Sequence, residues 1–195
     1  MLSEPGYALL HEVRLRGLVT IDEGSAVAVV VAELTDAGLV APVRAAIRLT
    51  ADGRSFHESW ARVAAGSELE HAVTRGYERF LPLNVEFLRV CHDWQVRPGD
   101  VPNDHRDARY DWAVLDRLRT LDERTAAVVR RVARSVARFD AYPRRLRDAL
   151  GRVDDGEVEW FTSPRIDSYH TVWMQLHEDL LLALGRRRED EPEAQ

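Results

Sequence analysis

The sequence contains no lysine, so all 27 of its basic residues are arginine. A coding bias of this kind is expected from a GC-rich genome, and the arginine content by itself therefore indicates no function. The single cysteine, Cys91, excludes an internal disulfide and agrees with a reducing compartment. No apolar run approaches the roughly 20 residues that cross a bilayer, and the opening MLSEPGYALLHEV lacks the basic start and apolar block of a signal peptide. We therefore expect a cytoplasmic protein without membrane contact.

Sequence motifs that hold phosphates, nucleophiles or zinc are also absent. There is no Walker-type glycine loop, no G-x-S-x-G, no G-x-G-x-x-G and no pair of cysteines. An enzyme is therefore the less favoured class, and no cofactor or metal is predicted. The 195 residues, 45% hydrophobic and 31% charged, are typical of one or two globular domains. The net charge of -6 gives no general attraction to nucleic acid, so only a local concentration of arginine could supply it.

The first third of the chain alternates helical and β-like patterns. Apolar residues at helical spacing, the turn residues Gly17 and Gly38, and the capping residue Thr50 set the expected boundaries. The predicted elements are a helix over Pro5–Leu18, an extended piece over Val19–Ile21, a helix over Ala26–Asp36, strands over Leu39–Val43 and Ala46–Leu49, and a helix from Ala51 towards Trp60.

The order of these elements is a helix, a second helix that ends in DAGLV, a hairpin, and a third helix that begins with LTADGR. Over residues 7–60 this order resembles the winged-helix regulators of the MarR and PadR type. The resemblance implies that the hairpin is the wing and that Arg44, Arg48 and Arg54 around it contact DNA. It also implies a homodimer formed by helices outside the module. The fold class expected is mainly α, with an N-terminal winged-helix module (1–64) that contains a small β-hairpin, then a larger all-helical domain (68–185) for dimerisation or ligand binding, and a frayed tail (186–195).

The sequence departs from this family at the DNA-reading helices. Only Ile21–Ser25 is available for the first helix of the helix-turn-helix pair, so that helix is missing or reduced to one turn. The segment AVAVVVAELTDAG, which should read DNA, carries Glu33 and Asp36 and no basic residue, whereas reading helices present Arg, Lys, Asn or Gln to base edges. Two hypotheses follow. The first is a homodimeric transcriptional regulator with a helical effector domain, and the second is an interaction or small-molecule-binding protein that retains a degenerate winged-helix fold without binding DNA.

The remaining two thirds read as helices separated by one turn-rich stretch. Helical patterns are expected over 68–92, 110–139, 143–153 and 167–184, and turns over 95–107. Between residues 117 and 152, eleven arginines face four acids, giving +7. This run is either a solvated face, a surface for DNA or an acidic partner, or a set of partners for the carboxylates of the acidic loop in the turn-rich stretch.

Two groups of residues are candidates for ligand binding. In the last helix, His170 and His177 could hold an anionic molecule or a metal, but residues seven apart are separated by about 10.5 Å along a helix, which disfavours a metal. The alternative is that both are core histidines. The second group lies around the turn-rich stretch, where the alternative is a turn held by its own Asn and Asp side chains. The candidate ligand-binding residues are His92, Asp93, Trp94, Asn103, His105, Tyr169, His170, Trp173 and His177.

Overall fold

A computed structural model describes residues 1–22 and 26–191, and it is mainly helical with a small antiparallel sheet. Its elements are α1 Glu4–Arg16, β1 Val19–Thr20, α2 Val27–Asp36, β2 Val40–Val43, β3 Ala46–Leu49, α3 Ala51–Ala61, α4 Glu68–Gln95, β4 Val96–Arg97, β5 Val101–Pro102, α5 Ala108–Ala133, a 3-10 helix Ala137–Asp140, α6 Ala141–Asp154, α7 Glu159–Thr162, α8 Tyr169–Leu184 and a 3-10 helix Arg188–Asp190.

The contacts divide the chain into two compact units. Unit 1 is Met1–Val63 together with Leu181–Arg188, so the last turn of α8 belongs to it, and unit 2 is the rest of the chain. The sequence-based domain ranges stay predictions, because dense contacts within a region are a different property from independent folding. In the part of the chain that the structure describes, no helix is both long and apolar enough to span a bilayer.

Unit 1 begins with a capped helix and contains a three-stranded sheet. The Ser3 hydroxyl accepts a hydrogen bond from the Gly6 amide at the start of α1, and Gly17, with φ of 76°, ends the helix. The antiparallel sheet has the order β1-β3-β2, so the strand before α2 pairs with the second strand of the hairpin that follows α2. Val40 lies opposite Leu49 in the β2–β3 ladder.

The core of unit 1 lies between α1, α2 and the sheet. Leu10, Val13 and Leu34 are fully buried, and they pack with Ile47 and Leu49 of β3. Leu34 is the only described residue of α2 whose side chain is buried. Val30 and Val31 are partly buried and pack against this core, whereas the rest of the first two turns of α2 is exposed apart from the half-buried Glu33.

The LTADGR motif places the start of α3 against the turn between α2 and β2. The Thr50 hydroxyl donates to the Gly38 carbonyl at 2.7 Å and accepts from the Gly53 amide at 2.9 Å, so one side chain both caps α3 and holds the preceding turn. Gly53 lies so close to that turn that a Cβ atom would stand 1.9 Å from the Leu39 carbonyl oxygen. The motif therefore specifies a close backbone approach that only glycine permits.

Unit 2 is built on the long helices α4 and α5, with α6, α7 and most of α8 around them. α4 begins at the Ser67 cap and continues past Pro82. Aromatic side chains form much of the core, since Phe80, Phe87, Tyr169 and Trp173 are all fully buried. These rings come from α4 and α8, which fixes the first half of α8 against α4.

The second part of the chain is not all-helical, which corrects the sequence-based prediction. β4 and β5 form a two-stranded antiparallel hairpin, with Val96 opposite Pro102. The physical reason is the turn at Gly99 and Asp100, whose φ angles of 86° and 58° reverse the chain within the stretch expected to contain only turns. In addition, α5 ends at Ala133, and a separate 3-10 helix follows it where one continuous helix to Phe139 was expected.

Two other expectations fall partly on residues outside the description. Ile21 and Asp22 are not helical, while Glu23–Ser25, the rest of the expected shortened helix, lies outside the described residues. The tail expected to fray at 186–195 contains the 3-10 helix Arg188–Asp190 within its described part, and its residues 192–195 lie outside the description.

Candidate functional site

The three arginines predicted to bind DNA are all exposed on unit 1. Arg44 lies at the β2–β3 turn in a left-handed conformation with φ of 56°, Arg48 projects from the solvent side of β3, and Arg54 lies near the start of α3. None of the three forms an ion pair with another of the described residues. Their charges are therefore exposed to solvent and not neutralised by described carboxylates.

The exposed surface of α2 is apolar and uncharged over its first two turns. Val29 is 78% exposed and Val27 40% exposed, and Ala28 and Ala32 are exposed beside them. The first acid of the helix, Glu33, points back to α1, where its carboxylate accepts hydrogen bonds from the Ser3 amide and hydroxyl, each at 2.6 Å. These two bonds lower the pKa of Glu33. α2 thus offers neither a cation nor a hydrogen-bond donor of the kind that reads bases.

The first group of predicted ligand residues holds the β4–β5 hairpin to α5. The Asn103 amide nitrogen donates to the Trp94 carbonyl at 3.0 Å and to Asp111 Oδ1 at 2.7 Å. His105 Nδ1 lies 3.1 Å from the other oxygen of Asp111, and the His105 ring packs on Trp94 with 4.4 Å between centroids. Polar side chains in this group therefore bond mainly to one another and to the backbone.

Further contacts fix the same hairpin against the neighbouring helices α4 and α5. Arg97 pairs with Asp107 at 2.7 Å and lies over the Tyr110 ring, whose hydroxyl donates to the Asp93 carbonyl at 2.8 Å. The backbone amide of Tyr110 bonds the Asp107 carboxylate and lowers its pKa, with Arg97 contributing. The Asp93 carboxylate pairs with Arg117 at 2.5 Å, whereas His92 is exposed to solvent. This is the pattern expected of a stabilised turn.

The second group, on α8, lies largely in the core. Trp173 is fully buried, stacks on Phe87 at 4.2 Å and donates from Nε1 to Asn84 Oδ1 at 2.9 Å. His170 is partly buried and stacks on the same phenylalanine, with 5.9 Å between ring centroids. Burial lowers the pKa of His170, which favours the neutral imidazole at pH 7. Trp173 is thus a core residue with a satisfied indole.

His177 lies two turns after His170 on α8 and is hydrogen-bonded to a carboxylate. It is 3% exposed, and its Nε2 atom lies 2.8 Å from Glu191 Oε1. The Tyr77 hydroxyl, from α4, donates to the same oxygen. Because an ionised carboxylate only accepts hydrogen bonds, the proton in the His177 contact is on Nε2. Two buried donors from different helices therefore converge on one oxygen atom.

A buried acid lies beneath Tyr169 at the start of α8. The Tyr169 hydroxyl donates to Asp122 Oδ1 at 3.2 Å, and Arg147 lies 4.0 Å from the other Asp122 oxygen. Burial is the main cause that raises the pKa of Asp122, and it raises the pKa of Tyr169 as well. The nearby hydroxyl of Thr125, one turn along α5, is fully buried and has no hydrogen-bond partner among the described residues.

Cys91 belongs to the same buried region. Burial raises the pKa of its thiol to about 12. The thiolate, which is the reactive form of cysteine, is therefore scarce near neutral pH. A buried cysteine of this kind contributes to packing and is not reactive.

The arginine run over 117–152 is used mostly inside unit 2. Eight of its eleven arginines form ion pairs with described carboxylates: Arg117 with Asp93, Arg119 with Asp116 and Asp154, Arg124 with Glu86, Arg138 with Asp179, Arg144 with Asp148, Arg145 with Asp167, Arg147 with Asp122, and Arg152 with Glu157. Among these pairs, the acidic loop contributes only Asp93, and the other seven arginines pair with carboxylates elsewhere in the chain.

The two groups of predicted ligand residues have different partners. The loop group bonds to Asp111, Tyr110 and Arg117, whereas the α8 group bonds to Asn84, Asp122 and Glu191. Trp94 and Phe87 on α4, two turns apart, are the ring contacts of the respective groups. The structure thus presents two sites along α4, and the α8 group presents buried donors to carboxylates, from Tyr169 to Asp122 and from His177 to Glu191.

Three residues of these sites were not singled out from the sequence. They are Tyr77, Asp122 and Glu191; the sequence marks Asp122 only as one of four acids in an arginine-rich run and Glu191 only as part of a tail predicted to fray. A usable signal existed for Asp122, because it lies at helical spacing from the buried Leu118 and Thr125 on the apolar stripe of α5. Glu191 carries no such signal, since its contacts to Tyr77 and His177 span 114 and 14 residues of sequence.

A metal site is not indicated within residues 1–22 and 26–191, where no three His, Cys, Asp or Glu side chains are arranged to hold an ion. No family model matches the chain, and neither the curated proteins nor the solved structures include one with significant similarity to it.

Proposed function

We propose that the chain is a winged-helix transcriptional regulator that holds DNA through the arginines of its β2–β3 hairpin. The observation that carries this proposal is the topology of unit 1. A helix, a short strand, a helix and a hairpin are joined in a sheet of order β1-β3-β2, with α2 directly before the hairpin. This is the order in which a winged-helix module places its reading helix and wing.

The contacts of Thr50 and Gly53 support the same module. In the resembling regulators, the LT..GR step follows the wing, and here it joins the end of β3 to the turn that follows α2. The hairpin and α2 are thereby held in a fixed relation within unit 1. A fixed relation between the two is what simultaneous contact with a groove and the flanking phosphates requires.

The exposed arginines of unit 1 supply the positive charge that would bind DNA phosphates. Arg44, Arg48 and Arg54 have no ion-pair partner among the described residues, so binding to phosphates would not break an existing pair. α2 presents Val27 and Val29 where a reading helix presents polar donors. DNA binding by this protein therefore depends on phosphate contacts and shows weak preference among sequences.

The homodimer and a small-molecule effector belong to the same proposal. Both follow from the resemblance to regulators in which helices outside the module dimerise. Unit 2 supplies helices of suitable length, since α4 and α5 contain 28 and 26 residues.

The test is fluorescence anisotropy of the full chain with a labelled DNA duplex from the region around its own gene, measured over a series of salt concentrations. We expect binding at low salt that weakens as salt rises. The triple variant R44A/R48A/R54A should lower the slope of log K against log salt by about 2 to 3 units, because each lost phosphate contact contributes about 0.9.

A matched control removes three exposed arginines of α4. Arg75, Arg79 and Arg89 are exposed and form no ion pair with described residues, so R75A/R79A/R89A changes the net charge equally. If both triple variants lose the same slope, the wing has no special role. The lack of salt-sensitive binding to any fragment would instead favour the second candidate, a protein-contact module, for which the exposed apolar surface of α2 is the supporting observation.

A further inference from the structure

The contact between Glu191 and α8 has the features of a ligand site. Tyr77 and His177 are 4% and 3% exposed, so both are removed from water apart from the groups that they bond. Their hydroxyl and imidazole donors meet at a single oxygen of the Glu191 carboxylate. Converging buried donors bind a carboxylate strongly, because the charge-assisted hydrogen bonds act at low local dielectric.

Aromatic side chains surround these donors. Phe80 lies 5.2 Å from the His177 ring and 5.1 Å from the Trp173 ring, measured between centroids. The Tyr77 ring lies 6.3 Å from His177. The Trp173 indole nitrogen is already bonded to Asn84, so it does not compete for the carboxylate. The site therefore combines an apolar wall with two donors, which suits an acid on a short aliphatic stem.

The occupant reaches the site from a separate segment of chain. α8 ends at Leu184, Gly185 follows with φ of 63°, and a single 3-10 helix leads to Glu191. Glu191 is thus bonded to a residue 14 positions earlier. A ligand tethered by so short a segment acts at an effective concentration of about the millimolar range. A free ligand of the same chemistry must exceed that concentration, or bind more tightly, to displace it.

We propose that Tyr77 and His177 form a binding site for aliphatic carboxylates and that Glu191 occupies it as an intramolecular ligand. The chemical class is set by the occupant, whose side chain presents a propionate group. Release of Glu191 opens the site to a free acid of this class. This inference is independent of DNA binding, because Tyr77, His177 and Glu191 all belong to unit 2 and the arginines proposed to bind DNA belong to unit 1.

The test uses sodium propionate as the probe and compares the full chain with E191Q. The His177 imidazole is observed by long-range ¹H–¹⁵N NMR. We expect saturable shifts of the Nε2 signal in E191Q, at propionate concentrations about tenfold or more below those needed for the unaltered chain, because the tethered competitor has been removed. Sodium chloride at equal ionic strength should leave the signal unchanged.

The matched control is E189Q, which removes an exposed acid two positions away, in the 3-10 helix that precedes Glu191. It should behave like the unaltered chain. A second variant, E191A, removes the amide that could remain bonded in E191Q and should respond to propionate in the same way. Y77F combined with E191Q should weaken the response, because one of the two donors is lost.

Equal propionate responses in the unaltered chain, E189Q and E191Q would overturn the proposal, since Glu191 would then not occupy the site. It would also be overturned if E191Q and E191A, shown to be folded by circular dichroism, gave no saturable shift of His177. A response unaffected by Y77F would exclude Tyr77 from the site.

Discussion

At the scale of single residues, Gly53 is the position with the least tolerance for a side chain. A Cβ atom there would lie 1.9 Å from the Leu39 carbonyl oxygen, and that oxygen belongs to the backbone, so it cannot rotate away. We expect G53A to lower the free energy of unfolding by about 3 kcal/mol, at the upper end of the cost of overpacking. Urea unfolding followed by circular dichroism measures this change.

Gly151 provides the control for that substitution. It lies on the exposed side of α6, and a Cβ atom there meets nothing within 4 Å. G151A should raise the free energy of unfolding by up to about 1 kcal/mol, because alanine has the higher helix propensity. Loss of stability in both variants would mean that the approach of Gly53 to Leu39 is not the cause.

The residues of the candidate site differ in how far sequence reveals them. The sequence reveals His177 because this residue falls, together with His170, on the apolar stripe of the last helix. The sequence could not reveal that its partner is Glu191, since a carboxylate in a polar segment has no pattern that indicates a buried neighbour. The sequence also could not distinguish a turn-forming role of Asn103 and His105 from a ligand-binding role, because the same polar side-chain atoms serve either role.

At the scale of elements, the helices and strands of the first third follow from the sequence closely. Capping by Thr50, the glycine after α1 and the alternation in β2 and β3 are local signals, and local signals suffice for short elements. The β4–β5 hairpin was missed because it contains two residues per strand, too few for an alternating pattern. The end of α5 was also missed, since helical spacing of apolar residues continues to Phe139 beyond it.

The packing of α6 against α8 depends on one buried acid, Asp179. It accepts from Arg138 Nε at 2.8 Å and from the Tyr142 hydroxyl at 3.2 Å, and its side chain is fully buried. D179A would leave a guanidinium and a hydroxyl without this acceptor. We expect a loss of about 3 to 5 kcal/mol in the free energy of unfolding, measured by denaturant titration.

An exposed pair in α6 gives the comparison for that prediction. Arg144 and Asp148 are one turn apart at 3.4 Å, and both side chains are largely exposed. D148A should change the free energy of unfolding by less than about 0.5 kcal/mol. If D179A were as mild as D148A, the hydrogen bonds of Asp179 would not determine the stability of the packing between α6 and α8.

At the scale of the whole molecule, the distribution of charge matters more than its sum. The chain is acidic, with a net charge of -6, and its arginine-rich stretch is largely paired with acids that are distant in sequence. Counting charges along the sequence marks 117–152 as the positive region. Folding changes the distribution of exposed charge, because ion pairs neutralise most of the arginines between residues 117 and 152. The three arginines around the hairpin of unit 1 keep their charge exposed to solvent. The difference arises from long-range contacts that no local window of sequence contains.

Stability as a function of pH depends on the buried acid Asp122. Its pKa is raised in the folded state because burial outweighs the hydrogen bond from Tyr169 and the attraction of Arg147. A raised pKa means that the folded state binds the proton more tightly, so this group contributes its stability below the unfolded pKa of about 3.9. That contribution is lost as pH rises through the folded pKa, where a charge is forced into the core.

D122N carries no charge at any pH and retains an oxygen for the Tyr169 hydroxyl. Relative to the unaltered chain, it should therefore gain stability when urea unfolding at about pH 8 is compared with unfolding at about pH 4. D148N, at an exposed acid, should show little such gain. If D122N instead lost more stability at the higher pH, the ionised Asp122 would be a net stabilising partner of Arg147, and the pairing between α5 and α6 would outweigh the burial of its charge.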